Sequence, residues 1–166
     1  IEIGMILSSL IFMNRMSEAT SIKNASNMLE SNDDFGDKLF EDELADIPKD
    51  ILLYEINGPL FFGASQKFQE VITDLNQRPK ILILRMRNVP FIDATGINRM
   101  KDICKQLQSR GTTVIISGAN HEVKLELLKA NIYSMLNKKN IHDKISDAME
   151  RAKTILEEQS KASIKN

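Results

Sequence analysis

Tryptophan is absent from this 166-residue chain, cysteine occurs once and histidine twice, and each scarcity removes a kind of chemistry. A single thiol, Cys104, excludes an internal disulfide; it falls on the apolar side of a helical pattern and reads as a small buried hydrophobe suited to a reducing compartment. His121 and His142 lie far apart with no cysteine beside them, which argues against a metal site, and both read as surface side chains at helix starts. Gly58, Gly63, Gly111 and Gly118 fit neither a phosphate loop nor a dinucleotide fingerprint, so no cofactor is expected. Lysines and arginines beyond Ile51 are dispersed among acids without aromatic interleaving, which speaks against a nucleic-acid platform. No base and nucleophile stand at a telling spacing, and the chain reads as non-catalytic.

A long hydrophobic run is lacking too. Ile3 to Met13 is apolar apart from Ser8 and Ser9, but a bilayer span needs about 20 such residues. Residues 1–16 read either as the end of a spanning helix cut upstream, with Arg15 as a juxtamembrane base, or as an amphipathic helix packed on the domain or on a second copy. The start at Ile1, with no basic region ahead of the apolar stretch, points to a piece of a longer protein rather than a signal peptide. The net charge of −1 hides a segregation: Arg15 to Asp50 carries ten acids against four bases, and the remainder beyond Ile51 carries twelve against eighteen. Residues 17–49, rich in Ser, Asn, Asp and Glu, read as a polar acidic linker that is disordered or loosely helical. The folded domain is expected over 50–158, followed by a polar tail over 159–166.

What is present after Pro48 is an alternation of strand and helix signals. Leu52, Tyr54 and Ile56 share one face of a first strand, Asn57-Gly58-Pro59 turns the chain, and Leu60-Phe61-Phe62 makes a short second strand. Ser65 caps a helix carrying Phe68, Val71, Ile72 and Leu75, which Arg78-Pro79 stops. Ile81 to Leu84 is continuous in apolar character, as in a central strand covered on both faces. A helix over roughly Thr95 to Ser109 buries Ile97, Met100, Ile103, Cys104 and Leu107, with Gly111 at its C-terminal cap. Thr113 to Ser117 is a β-branched strand, Asn120 caps a short helix with Val123 and Leu127, and a short strand falls near Lys139-Asn140-Ile141. A longer helix then carries Ile141, Ile145, Ala148, Met149, Ala152, Ile155 and Leu156. The order implies an α/β fold with a mostly parallel sheet layered with helices.

The stretch Val89 to Gly96 concentrates the chemistry. It places Asp93 and Thr95 where a strand hands over to a helix N-terminus, whose open N–H groups and dipole favour negative charge. Asp93 reads first as a helix cap, an interaction that stabilises by about 1 kcal/mol. Thr95 reads as an acceptor of a phosphoryl group, whose added charge of about −2 meets those N–H groups while its bulk blocks a partner surface. Asp93 is not expected to act as a nucleophile, because no second Asp lies two residues on. Arg85 and Arg87 are two apart near the end of the central strand and therefore share a side. With Arg99 they suggest an anion site near Thr95; the alternative is a pair of solvent-facing bases with their stems on the sheet.

The run Ile51 to Ala64, with its Asn57-Gly58-Pro59-Leu60-Phe61-Phe62-Gly63 core, followed by Val89 to Gly96, resembles the STAS domain at the C-terminus of SulP-type anion transporters. The likeness covers about Asp50 to Glu158, and Ile3 to Met16 is similar to the last transmembrane segment and membrane exit of those transporters. It implies a mixed, mostly parallel sheet of four or five strands packed with about four helices. It also implies a cytoplasmic domain at the inner (plasma) membrane, regulating the transport of sulfate-like anions. The partners implied are the transmembrane domain of the same transporter, a regulatory protein or kinase, and a second copy. In anti-sigma-factor antagonists of the same fold a kinase phosphorylates the hydroxyl residue before the glycine of the equivalent turn, the place that Thr95 holds before Gly96. A free-standing phospho-switch of that kind is the alternative function.

Overall fold

Apolar runs covered on both sides make the centre of this protein. The computed structural model describes residues 2–18, 21–24, 47–60 and 79–164. Strands β1 (Ser21–Asn24), β2 (Ile51–Asn57), β3 (Ile81–Asn88), β4 (Thr113–Ser117) and β5 (Ile141–His142) form one sheet in sequential order. Strands β2 to β5 are parallel, and β1 is antiparallel along the outer edge of β2. This is the mixed, mostly parallel α/β sheet that the alternation of signals implies.

Side chains alternate between the two faces, as the two-residue period of a strand requires. Leu52, Tyr54, Ile56, Leu82, Leu84, Met86, Val114 and Ile116 form one core with α2 (Ala94–Ser109), α3 (His121–Lys129) and α4 (Ile132–Leu136). Ile51, Leu53, Ile81, Ile83 and Ile115 form a second core against Ala148, Met149, Ala152 and Ile155 of α5 (Ile145–Ile164). The continuous apolar character of β3 follows directly, since both of its faces are buried.

Cap chemistry sets the helix boundaries. Asn120 Oδ1 accepts from Val123 N at 2.9 Å to open α3, and Gly111, at φ 85°, lets the chain leave α2 in a conformation that side chains disfavour. The strand expected near Lys139-Ile141 is β5, so Ile141 belongs to it rather than to the following helix. Ser21–Asn24, read from composition as part of the polar linker, pairs with Asn57 to Tyr54 of β2. With one apolar residue in four it has no periodic signal of its own; the open edge of β2 supplies its backbone partners. The expected strand residues Phe61 and Phe62, the helix beginning at Ser65 and the acidic stretch over 25–46 lie outside the described residues.

Helix α1 (Glu2–Glu18) leaves Ile3, Met5, Ile6, Leu7, Leu10, Ile11 and Phe12 exposed. No helix among the described residues is long and apolar enough to cross a membrane. Cys104, on the inner face of α2, is fully buried, and desolvation pushes its thiol from 9.0 up to about 12. Because only the unfolded chain releases that proton between these limits, stability is expected to fall as pH rises above about 9. At lower pH a rise of that size reduces the reactive thiolate roughly a thousandfold. Iodoacetamide labelling of Cys104 along a urea series should therefore track the circular-dichroism unfolding curve; labelling ahead of unfolding would show that α2 opens locally.

Candidate functional site: the β3–α2 turn and its groove

After β3 the chain runs through Val89 and Pro90 to Phe91 and Ile92, which Leu60 stitches down. Leu60 N donates to Phe91 O and Asp93 N donates to Leu60 O, each at 3.1 Å, making a small parallel bridge between Leu60 and Ile92. Asp93, in extended backbone at φ −90° and ψ 176°, then caps α2: its Oδ1 accepts from Gly96 N at 2.7 Å. Asp93 thus serves as the cap its position implies. Asn120 fastens the turn from the other side, its Nδ2 donating to Val89 O at 3.0 Å and Pro90 O at 2.9 Å while its Oδ1 caps α3.

Thr95 sits in the first turn of α2, half-buried, between exposed Ala94 and buried Gly96. The cap occupies the Gly96 N–H, and the dipole of the sixteen-residue helix points its positive end here. Phe91 and Ile92 of the turn, with Glu122, Leu125 and Glu126 of α3, line an open groove of about 290 Å³. Phe91 is 44% exposed and Leu125 41%, with Leu128 beyond them at 53%, so the groove has an apolar floor with carboxylates along it. Glu126 pairs with Lys129 at 2.7 Å. On the far side of α3, Lys124 Nζ lies 2.6 Å from Asp143 Oδ1 and holds that carboxyl below its ordinary range, chiefly by the hydrogen bond. The groove has a sequence signal: Leu125 falls off the Val123/Leu127 stripe that packs the core.

The arginines divide. Arg99 is half-buried one turn along α2, whereas Arg85 follows Ile81 and Ile83 on the face of β3 covered by α5, and the register shift between Arg85 and Asn88 interrupts the alternation at Arg87. Arg85 is buried beside Glu55, Nε to Oε1 at 3.9 Å, and Arg87 is exposed at the strand end. The structure therefore separates Arg85 from Thr95 and Arg99 by the thickness of the sheet. His142, expected at a helix start, lies instead in β5 beside Ser117.

The family model described as STAS domain matches residues 44–148. Among solved structures, a sulfate transporter family protein from Wolinella succinogenes is 34% identical with a TM-score of 0.64, the match covering 68% of this chain and 92% of that one. A SulP transporter STAS domain from Vibrio cholerae is also 34% identical, with a TM-score of 0.61 and coverage of 72% and 93%. YvdB of Bacillus subtilis, a protein named for sulfate transport, is 26% identical over 143 residues, 84% of this chain and 24% of its own length. The chain spans between 20% and 27% of the length of the curated relatives it matches.

Proposed function

The chain belongs to the STAS domain family, among the STAS domains of SulP transporters, and we propose that it is the cytoplasmic, non-catalytic docking and regulatory domain of an anion transporter. Its partner is the membrane part of the same protein, met through the β3–α2 turn and the groove beside it. One observation carries this reading: β1 begins opposite the end of β2, Ser21 against Asn57, and α1 ends three residues earlier at Glu18. Three Cα steps span at most about 11 Å. The apolar helix thus joins the sheet at the carboxyl ends of the parallel strands, the same edge that bears Asn88, Phe91 and Thr95.

Phosphorylation of Thr95 is the regulatory step in this reading. A dianion in the first turn of α2 is favoured by the helix dipole, so folding tolerates it, while its charge and bulk disturb a surface packed against a partner. Thr95→Glu is expected to leave the stability of the 166-residue chain within about 0.5 kcal/mol. In the full transporter it should lower anion uptake at unchanged membrane abundance, and Thr95→Ala should retain uptake. Equal uptake by both variants, or native protein that mass spectrometry finds unmodified at Thr95 in every growth condition, would remove the switch. Binding of the isolated chain to a soluble protein kinase, with no effect of the turn on uptake, would favour the free-standing phospho-switch instead.

A further inference from the structure

The strand register aligns four polar residues in one row across the sheet. Glu55 pairs with Arg85, Arg85 with Ser117 and Ser117 with His142. All four take the α5 side, because their i−2 neighbours Leu53, Ile83 and Ile115 pack there and Ile141, next to His142, packs on the other. A row of polar groups inside an apolar sheet is unexpected unless each is satisfied. Glu55 and Arg85 answer each other at 3.9 Å, but Ser117 Oγ and His142 Nε2 are buried without a hydrogen-bond partner among the described residues, and Ser117 is 0% exposed. Such atoms have given up water without gaining a partner in exchange.

We propose that Arg85, Ser117 and His142, with Arg87 at the mouth, form a binding site for a small oxyanion. The Ser117 hydroxyl and the His142 ring, with its proton on Nε2, can both donate, and an ion that offers several acceptor oxygens satisfies the two together. In the register Arg85 stands between Ser117 and the Glu55 carboxylate, so the charge nearer to Ser117 is the guanidinium, which disfavours a cation. Arg87 adds a second positive charge: its backbone and Cβ lie 3.3 Å from where a Cβ on Gly118 would stand, one residue past Ser117. The side chain of Arg87 is exposed at the end of β3, on the carboxyl edge of the sheet next to the row. Sulfate, phosphate and bicarbonate share the chemistry required. This site is separate from Thr95, so either reading can fail without the other.

The test follows the His142 ring resonances by NMR in the 166-residue chain during titration with sulfate, phosphate or bicarbonate at ionic strength held constant with chloride. At least one oxyanion should move them saturably, and Ser117→Ala should weaken that affinity about tenfold, one hydrogen bond's worth. The same variant should keep or raise Tm without added anion, since it removes a buried hydroxyl that no group among the described residues answers. Arg99→Ala should bind as the parent does. Movement equal to that with chloride, no saturable movement with any of the three ions, or a Ser117→Ala variant that loses Tm at unchanged affinity would overturn the site.

Discussion

Gly96→Ala is expected to destabilise the folded chain by about 3 kcal/mol, against the usual rule for a helical glycine. In an exposed helix interior alanine is favoured over glycine by about 1 kcal/mol. Here an added Cβ would lie 2.5 Å from the carbonyl oxygen of Leu60, 2.9 Å from Ile92 Cγ1 and 3.1 Å from Leu60 C. The first and third of these are backbone atoms, and that backbone is held on both sides, its N–H on Phe91 O and its oxygen on Asp93 N. It cannot retreat without breaking the bridge that seats the turn. Calorimetry should record a Tm lower by about 10 °C, whereas Asp93→Ala, which removes only the cap, should cost about 1 kcal/mol. An unchanged or raised Tm for Gly96→Ala would mean that α2 does not rest on the Leu60 segment. Glycine at this place has a steric reason in the fold, beside any role in recognition.

Features whose cause is local were legible from sequence. The alternation in Leu52, Tyr54 and Ile56, the apolar run at Ile81, the stripe from Ile97 to Leu107 and the caps at Asp93, Asn120 and Gly111 each state their structure within a few residues, because period and cap chemistry act at that range. What depends on register was not legible. Arg85 looks like its neighbour Arg87 in a sequence, yet pairing places one beside Glu55, thirty residues away, in a buried row and leaves the other at the solvent edge. His142 reads as a helix start because Asp143 and Lys144 follow it. Its pairing with Ser117 of β4, next to that of Ile141 with Ile116, and the bond from Gly118 N to its carbonyl at 3.0 Å make it a strand residue. For the same reason nothing in Ser21–Asn24 announces β1: an edge strand that borrows its order from a neighbour carries little pattern of its own. Asp93 caps the turn where its place in the sequence sets it, and the groove beside it follows in part from Leu125, which α3 leaves unburied.

Arg85→Leu is expected to be the more damaging of the two halves of a buried ion pair, and a second substitution should repair part of the loss. Glu55 is 2% exposed and Arg85 7%. Removing the guanidinium leaves a carboxylate that keeps, among the described residues, Asn88 Nδ2 at 3.4 Å, a donor more closely engaged with Asn57 Oδ1 at 2.6 Å. Breaking a buried pair from one side typically costs about 3–5 kcal/mol, because the remaining charge has lost both water and its counter-ion. The separation of 3.9 Å is long for a hydrogen-bonded pair, so the lower end of that range, about 3 kcal/mol, is the expected value. With Glu55→Leu added, no unpaired charge remains, and the row lies beside apolar Leu53 and Ile83; the double variant should therefore recover at least about 1 kcal/mol relative to Arg85→Leu alone. Urea denaturation of the parent, both single variants and the double variant gives the coupling directly. Strictly additive losses would mean that the two side chains do not sense each other across β2 and β3, and that the polar row is held by packing rather than by charge.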